Sequence, residues 1–226
     1  LSNGKSDLIL DFFSGSCSTA HAVMDLNAQD NGNRKHIMVQ LPELCDEKSE
    51  AYKAGYKTIA DIGKERIRRA GEKIFADNAD KEGIENLDIG FKVFKLDSSN
   101  IKAWDSDLDN IEASLFDAVD NIKPDRSEDD VLYELLLKYG IDLTVPIEQR
   151  QISGKAVYSI GFGALIICLA DDITLDVVEG IGKLKQELAP ELTHVVFKDS
   201  GLKDDVVKTN AIQILKRYDI NDVKTL

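Results

Sequence analysis

From Asp7 to Phe13 the chain reads DLILDFF, a short and nearly unbroken apolar run. Aliphatic and aromatic side chains in a run of this length predict a buried parallel strand. Ser14-Gly15-Ser16-Cys17-Ser18 follows as a small-residue turn, and Thr19–Asn27 then puts Ala20, Val23 and Met24 on one face of a helix. Asp30-Asn31-Gly32-Asn33 predicts a turn, His36–Leu41 a second strand stopped by Pro42, and Lys48–Ala54 a short helix. In Ile59–Phe75 the residues Ile59, Ile62, Ile67, Ala70 and Ile74 form a helical stripe, and Phe91–Leu96 (FKVFKL) alternates as a third strand. Strands alternating with helices point to a doubly wound parallel sheet.

Residues 100–130 break this rhythm. They are polar and Asp-rich, hold Trp104, and end in Lys123-Pro124-Asp125-Arg126. We therefore expect a first domain over 1–100, a linker or helical segment over 101–130, and a second domain over 131–226. In the second domain Val131–Tyr139 predicts a helix ended by Gly140. Lys155–Ile160 and Ala164–Leu169 predict a hairpin across Gly161-Phe162-Gly163. Leu175–Leu188 and Lys203–Arg217 predict helices, with strands at His194–Phe197 and Val223–Leu226. The expected class is α/β: a partial Rossmann-like sheet followed by a smaller α/β (α+β) C-terminal domain. No internal repeat or low-complexity tract is present.

Composition narrows the function. No apolar run approaches the roughly 20 residues of a membrane span, so no membrane partner is expected. The three cysteines (Cys17, Cys45, Cys168) are odd in number and irregularly spaced, and the three histidines (His21, His36, His194) are scattered. That pattern argues against a disulfide framework and against a structural zinc site, and it fits a reducing cytoplasm. The net charge of −13 is divided unevenly. Residues 1–100 carry 14 basic and 17 acidic side chains, and residues 101–226 carry 14 and 24. Phosphate binding needs Lys and Arg, so the main DNA-binding surface is not expected on this chain.

The chemistry concentrates at Asp11-Phe12-Phe13-Ser14-Gly15-Ser16-Cys17. A strand ending in small residues before a helix lets a ligand approach the backbone and the free N–H groups of the helix N-terminus. In a doubly wound sheet the ligand lies at the C-terminal strand ends. An acidic residue closing the next strand would accept bonds from ribose hydroxyls. Glu43, just past HIMVQLP, fills that place, with Gln40 inside the strand as the alternative. Taken alone, the turn serves packing equally well.

Asp11–Val23 (DFFSGSCSTAHAV) resembles the FxGxG-type S-adenosylmethionine motif of amino-methyltransferases, in the form found in modification subunits of type III restriction-modification systems. Val39–Glu43 (VQLPE), Thr58–Ala70 (TIADIGKERIRRA) and Phe94–Asn100 (FKLDSSN) resemble the same family. So do Val196–Gly201 (VFKDSG) and Lys208–Asn210 (KTN), in that subunit's distal domain. The family has Gly where this chain has Cys17, a position where a Cβ crowds the cofactor or strains a positive φ. The (Asp/Asn)-Pro-Pro-(Tyr/Phe) catalytic motif is absent, since Pro42, Pro124, Pro146 and Pro190 stand apart.

The resemblance implies methyl transfer from S-adenosylmethionine to an exocyclic amine of a flipped DNA base, most simply adenine N6. It implies cofactor contacts at Asp11, Phe12, Phe13, Ser14, Gly15, Ser16 and Cys17, with Glu43 or Gln40 at the ribose. It assigns no catalytic residue to this chain. The missing motif and the target-recognition region lie N-terminal to the cofactor motif in that family, so the chain reads as a C-terminal fragment that meets DNA only through regions it lacks. The restriction subunit and a second modification subunit are the implied partners. Two other readings stand beside this one. An NAD-type Rossmann enzyme is disfavoured because the turn lacks GxGxxG. An assembly module with a vestigial pocket remains open. Of the other features, His21 fits packing or capping, Arg66, Arg68, Arg69 and Lys73 a solvated helix face with DNA-phosphate contact as the alternative, and Tyr133–Tyr139 a core-facing helix. Asp97-Ser98 suits a turn as well as an adenine contact, and Asp199-Ser200 an N-cap.

Overall fold

A computed structural model describes residues 4–102 and 121–226, in two compact units, Leu1–Phe94 and Lys95–Leu226. Trp104 and most of the Asp-rich segment lie outside the described residues.

In the first unit β1 (Leu8–Phe12) and β2 (Lys35–Val39) pair in parallel, Leu8 opposite Lys35 and Phe12 opposite Val39. They are joined through α1 (Ser18–Asp30), and α2 (Glu50–Lys53) and α3 (Ile59–Asp77) follow. The crossover is fixed at its far end by Asn27. Its amide donates to the Arg34 carbonyl (2.9 Å) and accepts from the Arg34 N–H (3.1 Å), while the Arg34 guanidinium pairs with Asp30. α3 starts sharply because Thr58 and Asp61 form a reciprocal capping box. Lys64 and the Thr58 hydroxyl hold the Asp61 carboxyl down to about 2. Ala20, Met24 and Ala28 of α1 pack against Ile67, Ala70 and Ile74 of α3.

The expected third strand is a correction. Phe91–Leu96 joins no ladder. Leu87, Ile89 and Phe91 lie against the α1–α3 core, and a Cβ at Gly71 would come within 3.0 Å of Ile89. The period-two alternation marks an extended segment, but only Phe91 of it packs on the helix pair, and Val93, Phe94 and Leu96 are exposed. β1 is also covered on one face only. Leu8, Leu10 and Phe12 are exposed, while Ile9 and Asp11 are half-buried.

The second unit, expected as the smaller, carries the larger sheet. Its five strands run in spatial order β3-β4-β5-β6-β7. β3 (Ile147–Ile152), β4 (Lys155–Ile160) and β5 (Leu165–Cys168) form an antiparallel meander, and β6 (His194–Phe197) and β7 (Asp222–Thr225) continue in parallel. The hairpin across Gly161–Gly163 is present, with Phe162 at φ 57°. β3, whose sequence IEQRQI shows no apolar pattern, was not expected.

α4 (Glu128–Lys138) covers one face of this sheet, and α5 (Leu175–Leu188) with α6 (Asp205–Arg217) covers the other. Leu132, Leu135 and Leu136 meet Ile160, Leu165 and Ile167 on the first face. Val177, Ile181 and Leu215 meet Val157, Ile166 and Phe197 on the second. β5 is therefore buried at every residue. α5 carries two small contacts: a Cβ at Gly180 would collide with Ile152 of β3, and one at Gly182 with Tyr218 after α6. Tyr158 donates to Glu128 at 2.7 Å, and burial together with that carboxylate pushes its hydroxyl up to about 12.

Glu134 ties the entry segment to α4. Its carboxylate accepts from the Ser99 hydroxyl and the Asn100 N–H, each at 2.6 Å, and pairs with Lys138 at 2.9 Å. Burial alone would raise its pKa, but these partners outweigh it and hold the carboxyl at about 2. Because the folded value lies below the unfolded one, this stabilisation is complete above the ordinary Glu range and is lost as pH falls toward 2. Glu134→Gln should therefore cost about 1–3 kcal/mol at neutral pH. The deficit should shrink as pH is lowered from 4.5 toward 2. Urea unfolding of both proteins across that range reads the difference, and a gap that does not change with pH would contradict it.

Candidate functional site

At the C-terminal ends of β1 and β2 the backbone makes a compact left-handed turn. The Val39 carbonyl accepts both the Phe13 N–H (2.9 Å) and the Ser14 N–H (3.0 Å), which stops β1 against the end of β2. Phe13, Gly15 and Cys17 all have positive φ, at 72°, 54° and 58°. The Cys17 N–H closes onto the Ser14 carbonyl at 2.8 Å. No side chain caps α1, so the first turn of that helix keeps its N–H groups for another acceptor.

Gly15 sits at the open side. A Cβ there would meet nothing within 4 Å, so the glycine is required by its φ and by the clear approach to the backbone. Its N–H donates to Gln40 Oε1 at 2.7 Å, which links the turn to the end of β2. Asp11 Oδ2 accepts from the Thr19 hydroxyl at 2.5 Å and thereby joins the strand to the helix. Phe12 and Phe13 contact edge to face with ring centroids 5.9 Å apart, and both are exposed. Ser16 is half-buried, Ser14 is buried, and Glu43 beyond Pro42 is exposed. The Glu43 carbonyl accepts from the Ile59 N–H at 2.9 Å, so the start of α3 fixes the backbone beneath that carboxylate.

Cys17 behaves differently from the other residues of the turn. It does adopt the left-handed conformation that favours glycine. Its side chain, however, is 5% exposed and joins the α1–α3 core. Sγ lies 3.5 Å from the Ser14 hydroxyl and occupies the space where a Cβ at Gly63 would come within 2.6 Å. Of the two consequences expected of a Cβ at this position, the positive φ is present. The thiol points into the helix pair, and Gly63 of α3 makes room for it. Gly63 and Thr19 are residues of this site that sequence reasoning missed. Both lie in stretches that resemble the family, but nothing in the sequence pairs Thr19 with Asp11 or Gly63 with Cys17.

The remaining candidates resolve locally. Arg69 pairs with Glu65 at 2.7 Å, Lys73 with Asp77 at 2.5 Å, and Arg68 stacks over Phe91 at 5.5 Å. The basic run on α3 is thus largely satisfied along its own helix. Asp97 pairs with Arg126 at 2.8 Å and accepts from the Ser98 N–H, as a turn residue does. The cap of α6 is Asp204, not Asp199-Ser200, and Asp199 instead pairs with Lys208 at 2.5 Å. His21 is half-buried in the first turn of α1. Among the described residues no cluster of three or more His, Cys, Asp or Glu is placed to hold a metal, and no helix is long and apolar enough to cross a membrane.

The first unit thus has a strand–turn–helix junction at the C-terminal end of a parallel pair, the place where open α/β sheets take up ligands. No protein-family model matches the chain. It is 41% identical over 108 residues to the Mod subunit of the type III restriction-modification enzyme StyLTI of Salmonella typhimurium, covering 48% of this chain and 16% of that one. It is 37% identical over 157 residues to the EcoPI Mod subunit of Escherichia phage P1, covering 68% and 23%. A match of 45% over 60 residues joins it to the type II methyltransferase M.KpnI of Klebsiella pneumoniae, covering 26% and 14%. The chain is thereby related to type III Mod subunits over about half to two thirds of its length, and its matches span less than a quarter of theirs.

The Cys17–Gly63 contact predicts a compensating pair. Gly63→Ala should destabilise the protein by about 1–3 kcal/mol through overpacking. Cys17→Gly alone should be nearly neutral, because roughly 1–2 kcal/mol of left-handed strain is relieved while the packing of the thiol is lost. The double substitution should recover most of the Gly63→Ala loss. Urea unfolding of the four proteins tests this, and strictly additive effects would show that the two residues do not share the space.

Proposed function

We propose that this chain supplies the S-adenosylmethionine-binding part of a DNA methyltransferase of the type III modification kind. One observation carries the reading: the turn after β1 leaves clear space beside Gly15 and an uncapped helix N-terminus at the strand ends, with the exposed Glu43 carboxylate following β2. Kinship with Mod subunits of type III restriction-modification enzymes and with a type II methyltransferase supports it.

The residues present fit the cofactor. A Cβ at Gly15 would fill the approach, and none is there. When bound, S-adenosylmethionine supplies the methyl group for an exocyclic amine, which we assign to adenine N6. Phe13–Ser16 would face the methionine moiety, Asp11 its ammonium, and Glu43 the ribose hydroxyls. Gln40 holds the Gly15 N–H, and with it the shape of the turn. Cys17, with its thiol buried against α3, contributes backbone conformation rather than contact. That placement supports a working pocket over a vestigial one.

No group on this chain is assigned to proton transfer or to orienting the amine. The chain lacks the Pro-Pro motif, so we assign those steps, and DNA recognition, to regions N-terminal to it in a longer subunit. The partners proposed are DNA through those regions, a restriction subunit and a second copy of the subunit, in the cytoplasm.

Two measurements test this reading. In calorimetric titration of a full-length subunit with S-adenosylmethionine, Glu43→Ala should weaken binding about tenfold or more, by loss of charge-assisted bonds worth about 1.5–3 kcal/mol each. Gln40→Ala should cost less, and wild-type affinity in Glu43→Ala would remove Glu43 from the site. The purified chain by itself should transfer no labelled methyl group to DNA; measurable transfer would place the catalytic machinery here.

A further inference from the structure

β3 forms one border of the five-stranded sheet and pairs with β4 without interruption from Ile147↔Ile160 to Ile152↔Lys155. The connecting residues Ser153 and Gly154 both have positive φ, 48° and 80°, as in a two-residue primed turn. Ile152 and Lys155 are then a hydrogen-bonded pair, and the pattern alternates from there. The Gly161 N–H donates to the Pro146 carbonyl at 3.2 Å, in the same phase. Even-numbered residues of β3 therefore direct their backbone groups at β4. Those of Ile147, Gln149 and Gln151 point out of the sheet, and among the described residues nothing pairs with them.

Long open edges are usually blunted by Pro, Lys, a bulge or a covering element. The sequence IEQRQI has no Pro, no Lys and no net charge, and its register is regular. The strand is also firmly held. Ile152 seats against Gly180 of α5, and Arg150 bonds Glu148 at 3.0 Å and Glu187 of α5 at 2.7 Å.

The order of charges identifies what fits this edge. In an antiparallel pairing with a second copy, centred on Gln149, Ile147 falls opposite Gln151 and Gln149 opposite itself. These are the outward-pointing residues, so they form the hydrogen-bonded pairs. Glu148 then falls opposite Arg150 of the second copy, twice by symmetry, at the non-hydrogen-bonded positions where side chains approach closest. An unrelated strand would have to supply this alternation, whereas a two-fold axis supplies it automatically. We propose that β3 is the surface through which two copies of this chain pair, antiparallel about Gln149, joining their sheets edge to edge. This gives a surface to the pairing of subunits proposed above and does not depend on cofactor binding.

Analytical ultracentrifugation of the 226-residue chain over a concentration series tests it. The wild-type chain should self-associate to a dimer. Arg150→Glu and Glu148→Arg should each weaken the dimer about tenfold or more, since each sets like charges opposite one another. The double exchange should return to within about threefold of wild type, because every cross-strand pair is again of opposite sign. Gln149→Pro should abolish pairing with little change in melting temperature, because Pro is tolerated where the N–H faces out of the sheet. Melting of each variant separates lost pairing from lost folding. A monomer at all concentrations, a dimer unchanged by Gln149→Pro, or a double exchange no stronger than the single ones would overturn the proposal. Unaltered S-adenosylmethionine affinity in these variants would separate that outcome from failure of the cofactor reading.

Discussion

The Val39 carbonyl is the fixed point of the first unit. By accepting both the Phe13 and Ser14 N–H groups it ends β1 level with β2 and forces the chain to turn at once. Three positive-φ residues in five then reverse the backbone within a single small loop. The neighbouring elements are tied in around that turn: Gln40 bonds Gly15, Thr19 of α1 bonds Asp11 of β1, and Cys17 reaches back into the helix pair.

Cys17 shows how a local departure is absorbed by a distant residue. A side chain in the left-handed region costs roughly 1–2 kcal/mol, and a poorly placed thiol would add to that. Gly63, on α3, removes the second cost by leaving a gap of the right size. The thiol therefore lies within the helix pair, away from the open space beside Gly15.

The second unit rests on a different constraint. β5 is buried at every residue, so both of its faces need cover, and α4 on one side with α5 and α6 on the other provide it. Gly180 and Gly182 let α5 approach Ile152 and Tyr218 closely. The same contact that positions α5 packs Ile152 of β3 at the border of the sheet, where the strand keeps a regular register with β4.

The sequence by itself determined the strand–turn–helix unit, its small residues and the helical stripes, because these follow from local propensity and apolar spacing. It also showed the antiparallel hairpin, through two continuous apolar runs separated by Gly161-Phe162-Gly163. Tertiary structure decided the rest. Phe91–Leu96 has the alternation of a strand, yet the extended chain leading into it packs on α3, since alternation reports an extended chain and not the element that covers it. β3 has almost no apolar pattern, and it is a strand because β4 and α5 supply its hydrogen bonds and its packing. The direction of the Cys17 side chain was equally beyond local reading, because it depends on a glycine 46 positions further along the chain. Only folding brings Cys17 and Gly63 into one space.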